Sequence, residues 1–234
     1  MLTVKNLSHN FGSHWALKNC SFSLDKGEFL FLTGSSGAGK TTLLRLLYAS
    51  LPVMRGSITV AGYDLKKIPA RQVPNLRRQV SVVFQDFKIL PYRTVYQNVA
   101  MALEVRGLQQ IHIDRRVRAV TRGLGLEARL FTLCGELSGG EQQRVAMARS
   151  VVVNPQILLA DEPTGNLDEE LAARMMKIFR QFNMHGTTVV LATHSHELVR
   201  MHPDARQLRL EEGKIVAANW RGATIFKGAG EEAL

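Results

Sequence analysis

Eight consecutive residues, Gly34-Ser35-Ser36-Gly37-Ala38-Gly39-Lys40-Thr41, combine three glycines, a lysine and a hydroxyl at the spacing GxxxxGK[ST]. Glycines let backbone N–H groups converge on phosphate oxygens, and a helix starting at the end of the loop adds the positive end of its dipole. Lys40 can reach the outer phosphates of a nucleotide, the Thr41 hydroxyl can ligate Mg²⁺, and Thr42 extends the first turn. A second pattern, Leu158-Leu159-Ala160-Asp161-Glu162, is an apolar run ending on two carboxylates. Downstream of a phosphate loop, Asp161 suits the shell of a Mg²⁺ ion and Glu162 suits polarising a water beside the terminal phosphate. The pair points to a nucleotide hydrolase more than to a mere binder. A third pattern, Leu137-Ser138-Gly139-Gly140-Glu141-Gln142-Gln143, joins a serine cap and two glycines to a helix running through Arg144, Val145, Met147 and Ala148. It is a second anion-binding helix start in one chain. Two such starts make sense if the second serves a nucleotide held by another copy.

These groups need elements to hold them. Residues 28–33 form a short apolar run ending at glycine, which predicts a buried strand, and residues 42–47 predict a helix stopped near Pro52. Residues 157–160 and 188–192 repeat the buried-strand signature. Between them Leu171, Met175, Ile178, Phe179 and Phe182 lie on one helical face. Residues 4–24 and 56–63 read as short strands of an antiparallel sheet. Val95, Val99, Ala102 and Leu103 follow a Thr94 cap at helical spacing with Gly107 as a stop; Ile113, Val117, Val120 and Leu124 give another helical face closing near Gly125. Strands alternating with helices predict an α/β architecture carrying an inserted helical subdomain.

Composition sets the outer limits. The chain has 234 residues, 45% hydrophobic and 21% charged, enough for one sizeable core. No apolar run approaches the roughly 18 residues of a membrane span, the longest (187–193) being strand-sized. The first residues, Met1-Leu2-Thr3-Val4-Lys5, carry no secretory signal pattern. Cys20 and Cys134 are distant and lack a CxxC partner, which argues against a disulfide scaffold or a zinc site and for a reducing compartment. The net charge of +10 fits nucleic acid, an anionic membrane face or a basic phosphate binder; its scattered positions (Arg71, Arg77, Arg78, Arg115, Arg116, Arg118) favour solvated faces over a nucleic-acid surface.

The phosphate loop, the Leu137–Gln143 segment and the acidic strand, in that order, resemble the ABC-transporter ATPase family, whose signature motif reads LSGGEQ. The resemblance spans residues 1–216 and implies the P-loop NTPase fold with an antiparallel β region. It implies a single ABC ATPase domain over 1–218, with the core and β region at 1–85 and 138–218 and the helical subdomain at about 86–137; residues 219–234, Gly/Ala/Glu-rich with isolated Trp220 and Phe226, read from composition as a loose tail. Residue by residue, it implies that Gln85 senses Mg²⁺ and the γ-phosphate, that Asn166 and Asp168 of Gly165-Asn166-Leu167-Asp168 cross to a partner copy, and that His194 contacts the γ-phosphate. Phe11 stands where the family usually stacks a tyrosine on adenine, keeping the π-face and losing the hydroxyl; Trp15 is a nearby aromatic that could equally be core. Ser138, Gly139, Gly140 and Glu141 would clasp ATP bound by the other copy of a homodimer. Ser195-His196 departs from the acid common after the switch histidine. A groove beside Gln85, lined by Phe87, Leu90, Pro91 and Tyr92, would accept a short helix of a membrane partner.

Within the family, the runs Val73-Pro74-Asn75-Leu76-Arg77-Arg78, Phe84-Gln85-Asp86-Phe87-Lys88-Ile89-Leu90 and Arg93-Thr94-Val95-Tyr96-Gln97-Asn98-Val99-Ala100 resemble the branch that serves bacterial cell division. That implies a peripheral ATPase on the cytoplasmic face of the inner membrane, bound to an FtsX-like polytopic membrane protein and regulating septal peptidoglycan hydrolysis. Lipoprotein-release and macrolide-efflux ATPases share the catalytic motifs and remain open. A DNA-associated ABC ATPase would need a long coiled coil, and no sustained heptads occur, so no nucleic acid is expected. A non-hydrolysing scaffold would not need the intact set Lys40, Asp161, Glu162 and His194.

Overall fold

A computed structural model describes residues 1–165, 169–221 and 223–225. The chain opens with an antiparallel hairpin, β1 (Leu2–Phe11) and β2 (His14–Leu24), followed by β3 (Phe29–Thr33), α1 (Lys40–Leu47), β4 (Arg55–Val60), β5 (Tyr63–Asp64), α2 (Val73–Gln79) and β6 (Val80–Val83). The inserted helices are α3 (Val95–Glu104) and α4 (Gln110–Gly123), and α5 (Gly139–Val151) returns the chain to the core. There follow β7 (Ile157–Asp161), α6 (Glu169–Met184), β8 (Thr188–Thr193), α7 (His196–Arg200), β9 (Arg206–Glu211), β10 (Lys214–Ala218) and β11 (Ala223–Thr224).

The strands form two sheets. One has the order β10-β9-β3-β8-β7-β6 and is parallel apart from β10; the other is antiparallel, in the order β11-β2-β1-β4-β5. The apolar runs of β3, β7 and β8 become central parallel strands because both of their faces are covered. Alternate side chains go to opposite layers. Phe29, Phe31, Leu158, Ala160, Val189 and Leu191 face α5 and α6 and pack with Met147, Met175 and Phe179. Leu30, Leu32, Leu159, Val190 and Ala192 face α1 and the antiparallel sheet, packing with Leu43, Leu46, Leu2 and Ile58. Burying each of the Leu, Val and Phe side chains among these contributes about 1.5–3 kcal/mol.

Helices α3 and α4 form where periodicity predicts them. Thr94 caps α3 in a reciprocal box with Gln97, and Gly107 leaves the helix region at φ 73°. Val95, Val99 and Leu103 of α3 and Ile113 and Val117 of α4 are buried against α5. Polar residues lie among them too: Thr121 returns its hydroxyl to the Val117 carbonyl (2.8 Å), and Asn98 ties down a loop. Asn98 is fully buried, accepts from Leu90 N (2.8 Å) and donates toward the carbonyls of Leu90 (3.0 Å), Arg93 (3.2 Å) and Thr94 (3.1 Å). It ties the loop 90–94 to the helix that follows.

The tail departs from expectation. Residues 219–221 and 223–225 are not loose: β11 pairs with Phe22 and Ser21 of β2, Asn219 bonds Gln207 and Ala205, and Arg206 lies 5.3 Å over the Trp220 ring. Trp220 packs on the antiparallel-sheet core, an anchor that a Gly/Ala/Glu-rich composition conceals. Phe226 lies outside the described residues. Cys20 and Cys134 are buried free thiols.

Replacing Asn98 by alanine should lower unfolding free energy by about 2–3 kcal/mol, because several backbone groups lose their partner together. Urea denaturation at neutral pH measures this.

Candidate active site

Register puts the chemistry on one line. In the parallel sheet Thr33 pairs with Thr193, Asp161 with Ala192 and Val83 with Ala160. The residues just past these positions are Gly34 after β3, His194 after β8, Glu162 after β7 and Gln85 after β6. Neighbouring parallel strands thus deliver four functional segments side by side at their carboxyl ends.

The phosphate loop is shaped by two glycines. Gly34 has φ 145°, and a Cβ there would lie 2.3 Å from the Leu210 carbonyl; Gly39 has φ 107°, and its Cβ would lie 2.4 Å from the Ala16 carbonyl. No other residue fits either place. α1 begins directly after Gly39 with no side-chain cap and no acid in its first turn, so its leading N–H groups stay available to an anion.

The loop opens on a cavity of about 660 Å³ lined by Phe11, His14, Ala16, Ser35, Ser36, Gly37, Gly39, Lys40, Thr41, Thr42, Gln85, Glu162, Gly165 and His194. Gly34 and Ala38 shape the turn from behind this wall. Phe11, half exposed, sits edge-on to His9 at a ring separation of 4.9 Å. Its cross-strand partner is His14, a lining residue that motif reading passes over. The signal was the hairpin pairing, which sets His14 beside Phe11 and turns Trp15 to the opposite face, under Arg55 at 5.0 Å. Trp15 is therefore not part of the site.

Lys40 is buried and donates to the carbonyls of Gly34 (2.8 Å) and Ser35 (3.1 Å), with Glu162 Oε1 at 3.4 Å. The other oxygen of Glu162 meets His194 Nδ1 at 2.9 Å and the His194 backbone N–H at 3.3 Å. Glu162 holds φ 48°, a left-handed conformation unfavourable for a glutamate, which the sheet enforces through a bond from its N–H to the Ala192 carbonyl (3.0 Å). Strained backbone of this kind concentrates where a side chain must be aimed.

Asp161 is buried, and its Oδ1 has no hydrogen-bond partner. Burial pushes its carboxyl above the ordinary aspartate value; a bond with Thr41 pulls it back, Glu162 raises it and Lys40 lowers it. A buried carboxylate with a bare oxygen beside a hydroxyl is the arrangement that a hard divalent cation completes, and Thr41 and Gln85 extend the all-oxygen donor set. The residues present fit Mg²⁺.

The signature lies apart from this cavity. Ser138 caps α5 in a reciprocal box: its hydroxyl accepts from Glu141 N (3.3 Å) and donates to Glu141 Oε2 (3.0 Å). The bond from the Ser138 N–H holds the Glu141 carboxyl below its ordinary range, with Arg129 at 3.3 Å assisting. Ser138 and Gly139 are exposed, and a Cβ on Gly140 would press 2.8 Å from Leu171. Asn166 and Asp168 lie outside the described residues.

The groove beside Gln85 is present, but its lining differs from expectation. About 760 Å³ of space is bounded by Leu44, Tyr48, Val82, Phe84, Gln85, Phe87 and Lys88 among others, with Phe84 edge-on to Tyr48 at 6.0 Å. Of the four expected residues only Phe87 lines it. Leu90 is drawn away by Asn98, Pro91 receives the Gly135 N–H, and Tyr92 is 92% exposed on the adjoining surface. Ser195 has a local role: its hydroxyl caps α7 by accepting from Leu198 N at 3.2 Å.

Fold and site define one class. The profile of the ABC transporter family matches residues 17–165, and the chain belongs to the ABC transporter ATPase family. It is 45% identical over 207 residues to the cell division ATP-binding protein FtsE of Streptococcus pneumoniae serotype 2, covering 88% of this chain and 90% of that one. To FtsE of Escherichia coli it is 44% identical over 216 residues, covering 92% and 97%. Among solved structures, a dimeric post-hydrolysis state of the ATP-binding cassette MJ0796 bound to ADP and Pi superposes with a TM-score of 0.86 at 29% identity, covering 94% of this chain and 98% of that one.

Two outcomes follow from the site. Lys40→Ala should weaken ATP binding by on the order of a hundredfold by calorimetry, since a buried charge-assisted contact is lost. Asp161→Asn should abolish metal-dependent hydrolysis yet raise the thermal midpoint in chelator at pH 7. With the folded carboxyl raised above 3.8, the native state holds the proton more tightly than the unfolded chain, so the cost of the ionised form builds as pH rises from there. The variant's advantage should therefore shrink as pH falls toward that value.

Proposed function

We propose that this ATPase is the motor subunit of a bacterial cell-division complex, closing as a homodimer on ATP and moving an FtsX-like polytopic membrane protein that controls septal peptidoglycan hydrolysis. The observation that carries the enzymatic reading is Glu162 held between Lys40 and His194 at the mouth of the phosphate loop. In that position its carboxylate takes the proton of a water attacking the terminal phosphorus, while Lys40 turns from Glu162 to the charge building on the transferred group. His194 keeps the carboxylate aimed and lies in the same cavity wall, within reach of the γ-phosphate. Asp161, Thr41 and Gln85 would hold Mg²⁺, which neutralises charge on the outer phosphates when bound.

The dimer follows from the signature's position. A capped, glycine-rich helix start lies exposed and off its own chain's cavity, an arrangement that suits a phosphate presented by a second copy. ATP then adds contacts available only in the closed pair, and hydrolysis removes them, so the nucleotide shifts an open–closed equilibrium.

Placement at the cytoplasmic face of the inner membrane rests on the FtsE similarity. Among the described residues no helix is long and apolar enough to cross a membrane. The groove beside Gln85 is the surface that senses the nucleotide and faces outward, which suits it to a short helix of the membrane partner. The similarity to FtsE favours cell division over lipoprotein release or macrolide efflux.

Glu162→Gln should bind ATP and accumulate as a dimer on size exclusion, with hydrolysis reduced by at least about a hundredfold. A variant that stays monomeric in ATP would contradict the closure reading. Pull-down from detergent-solubilised membranes should recover one dominant polytopic protein; recovery of a lipoprotein-release or efflux permease would reassign the complex.

A further inference from the structure

The loop that follows Gln85 is bent into a conformation its residues disfavour. Phe87 and Lys88 are consecutive left-handed residues, at φ 58° and 49°, and neither is a glycine. Something must hold them there. The group in place is Arg149, on the last turn of α5, whose guanidinium donates to the Phe87 carbonyl at 2.9 Å and to the Lys88 carbonyl at 2.7 Å. Arg149 is partly buried, and among the described residues no carboxylate pairs with it. Its charge is directed at two peptide oxygens, and its planar fork spans both carbonyls as an ammonium could not.

The helix carrying this clamp is the one that Ser138 caps. Ser138 and Arg149 sit at opposite ends of α5, a rigid rod of 13 residues packed on α3 and α4. One end of the rod is the proposed contact with a second copy's nucleotide, and the other end grips the turn just past Gln85. We propose that Arg149 is a positioning residue for hydrolysis: it holds the left-handed turn at Phe87-Lys88, sets Gln85 at the cavity mouth, and links that glutamine to the helix reading the opposite nucleotide. The inference rests on the ATPase-dimer reading above and makes a separate claim about one side chain.

The test separates positioning from plain structural support. Arg149→Ala in the full chain, with its membrane partner, should lower kcat by on the order of tenfold and raise the Mg²⁺ concentration needed for half-maximal rate, with ATP affinity by calorimetry within about twofold of wild type. Adding Lys88→Gly should then recover much of the lost rate, because glycine adopts the left-handed conformation without a clamp. In a Gln85→Ala background, Arg149→Ala should cost little more. If Arg149→Ala fails to fold, Arg149→Lys, which keeps the charge and loses the fork, replaces it in each measurement. Equal loss of ATP affinity and rate, no recovery with Lys88→Gly, or full additivity with Gln85→Ala would each overturn the assignment. Loss of closure by Glu162→Gln on size exclusion would fault the dimer reading, while the relative rates of the Arg149, Lys88 and Gln85 variants would still decide the assignment of Arg149.

Discussion

Parallel strands that stop on a common line are the constraint on which the molecule depends. β3, β8, β7 and β6 lie next to one another, and their registers match to within a residue at the carboxyl end. A parallel sheet is stable only with both faces covered, which is why these strands are apolar almost throughout. The polar residues excluded from the strands therefore collect where the strands end. A phosphate loop, a histidine, two acids and a glutamine meet there without any one loop having to be long.

Charge at that edge is shared within a cluster of side chains that leaves one buried oxygen bare. Lys40 leans on two carbonyls and a carboxylate, Glu162 divides its oxygens between Lys40 and His194, and Asp161 keeps one buried oxygen bare. Burial makes the bare Asp161 oxygen costly, and a divalent cation bound with a polyphosphate is a ligand whose charge relieves it. Binding energy is thus available for closing the site, and its loss after hydrolysis can drive reopening. The left-handed turns at Glu162, Phe87 and Lys88 belong to the same economy, since strain is tolerated where the surrounding sheet and helices fix a functional side chain.

Much of this was legible in the sequence. The central strands are uninterrupted apolar runs, the α3 cap and the α6 stripe follow helical spacing, and GxxxxGK[ST] carries its own mechanism. What escaped was set by long-range pairing. β9 and β10 are a hairpin with mixed exposure, legible only once β3 is there to pair with β9. β11 and Trp220 are held by β2 and by Arg206, contacts about 200 and 14 residues away in sequence. His14 became visible through its pairing with Phe11, and the groove lost Leu90 because a buried Asn98 captures that residue's backbone. Arg149 looks like a solvated helix residue in sequence and touches the Gln85 loop only in three dimensions.

The central claim is that each catalytic pocket is completed by a second copy, and a mixing experiment tests it most directly. Lys40→Ala and Ser138→Arg are each expected to be inactive alone, but a mixed pair contains one intact phosphate loop facing one intact signature. Combining equal amounts should restore about a quarter of the wild-type ATPase rate, the share expected when half the dimers are mixed and each has one whole site. A mixture no more active than its two components would contradict the account.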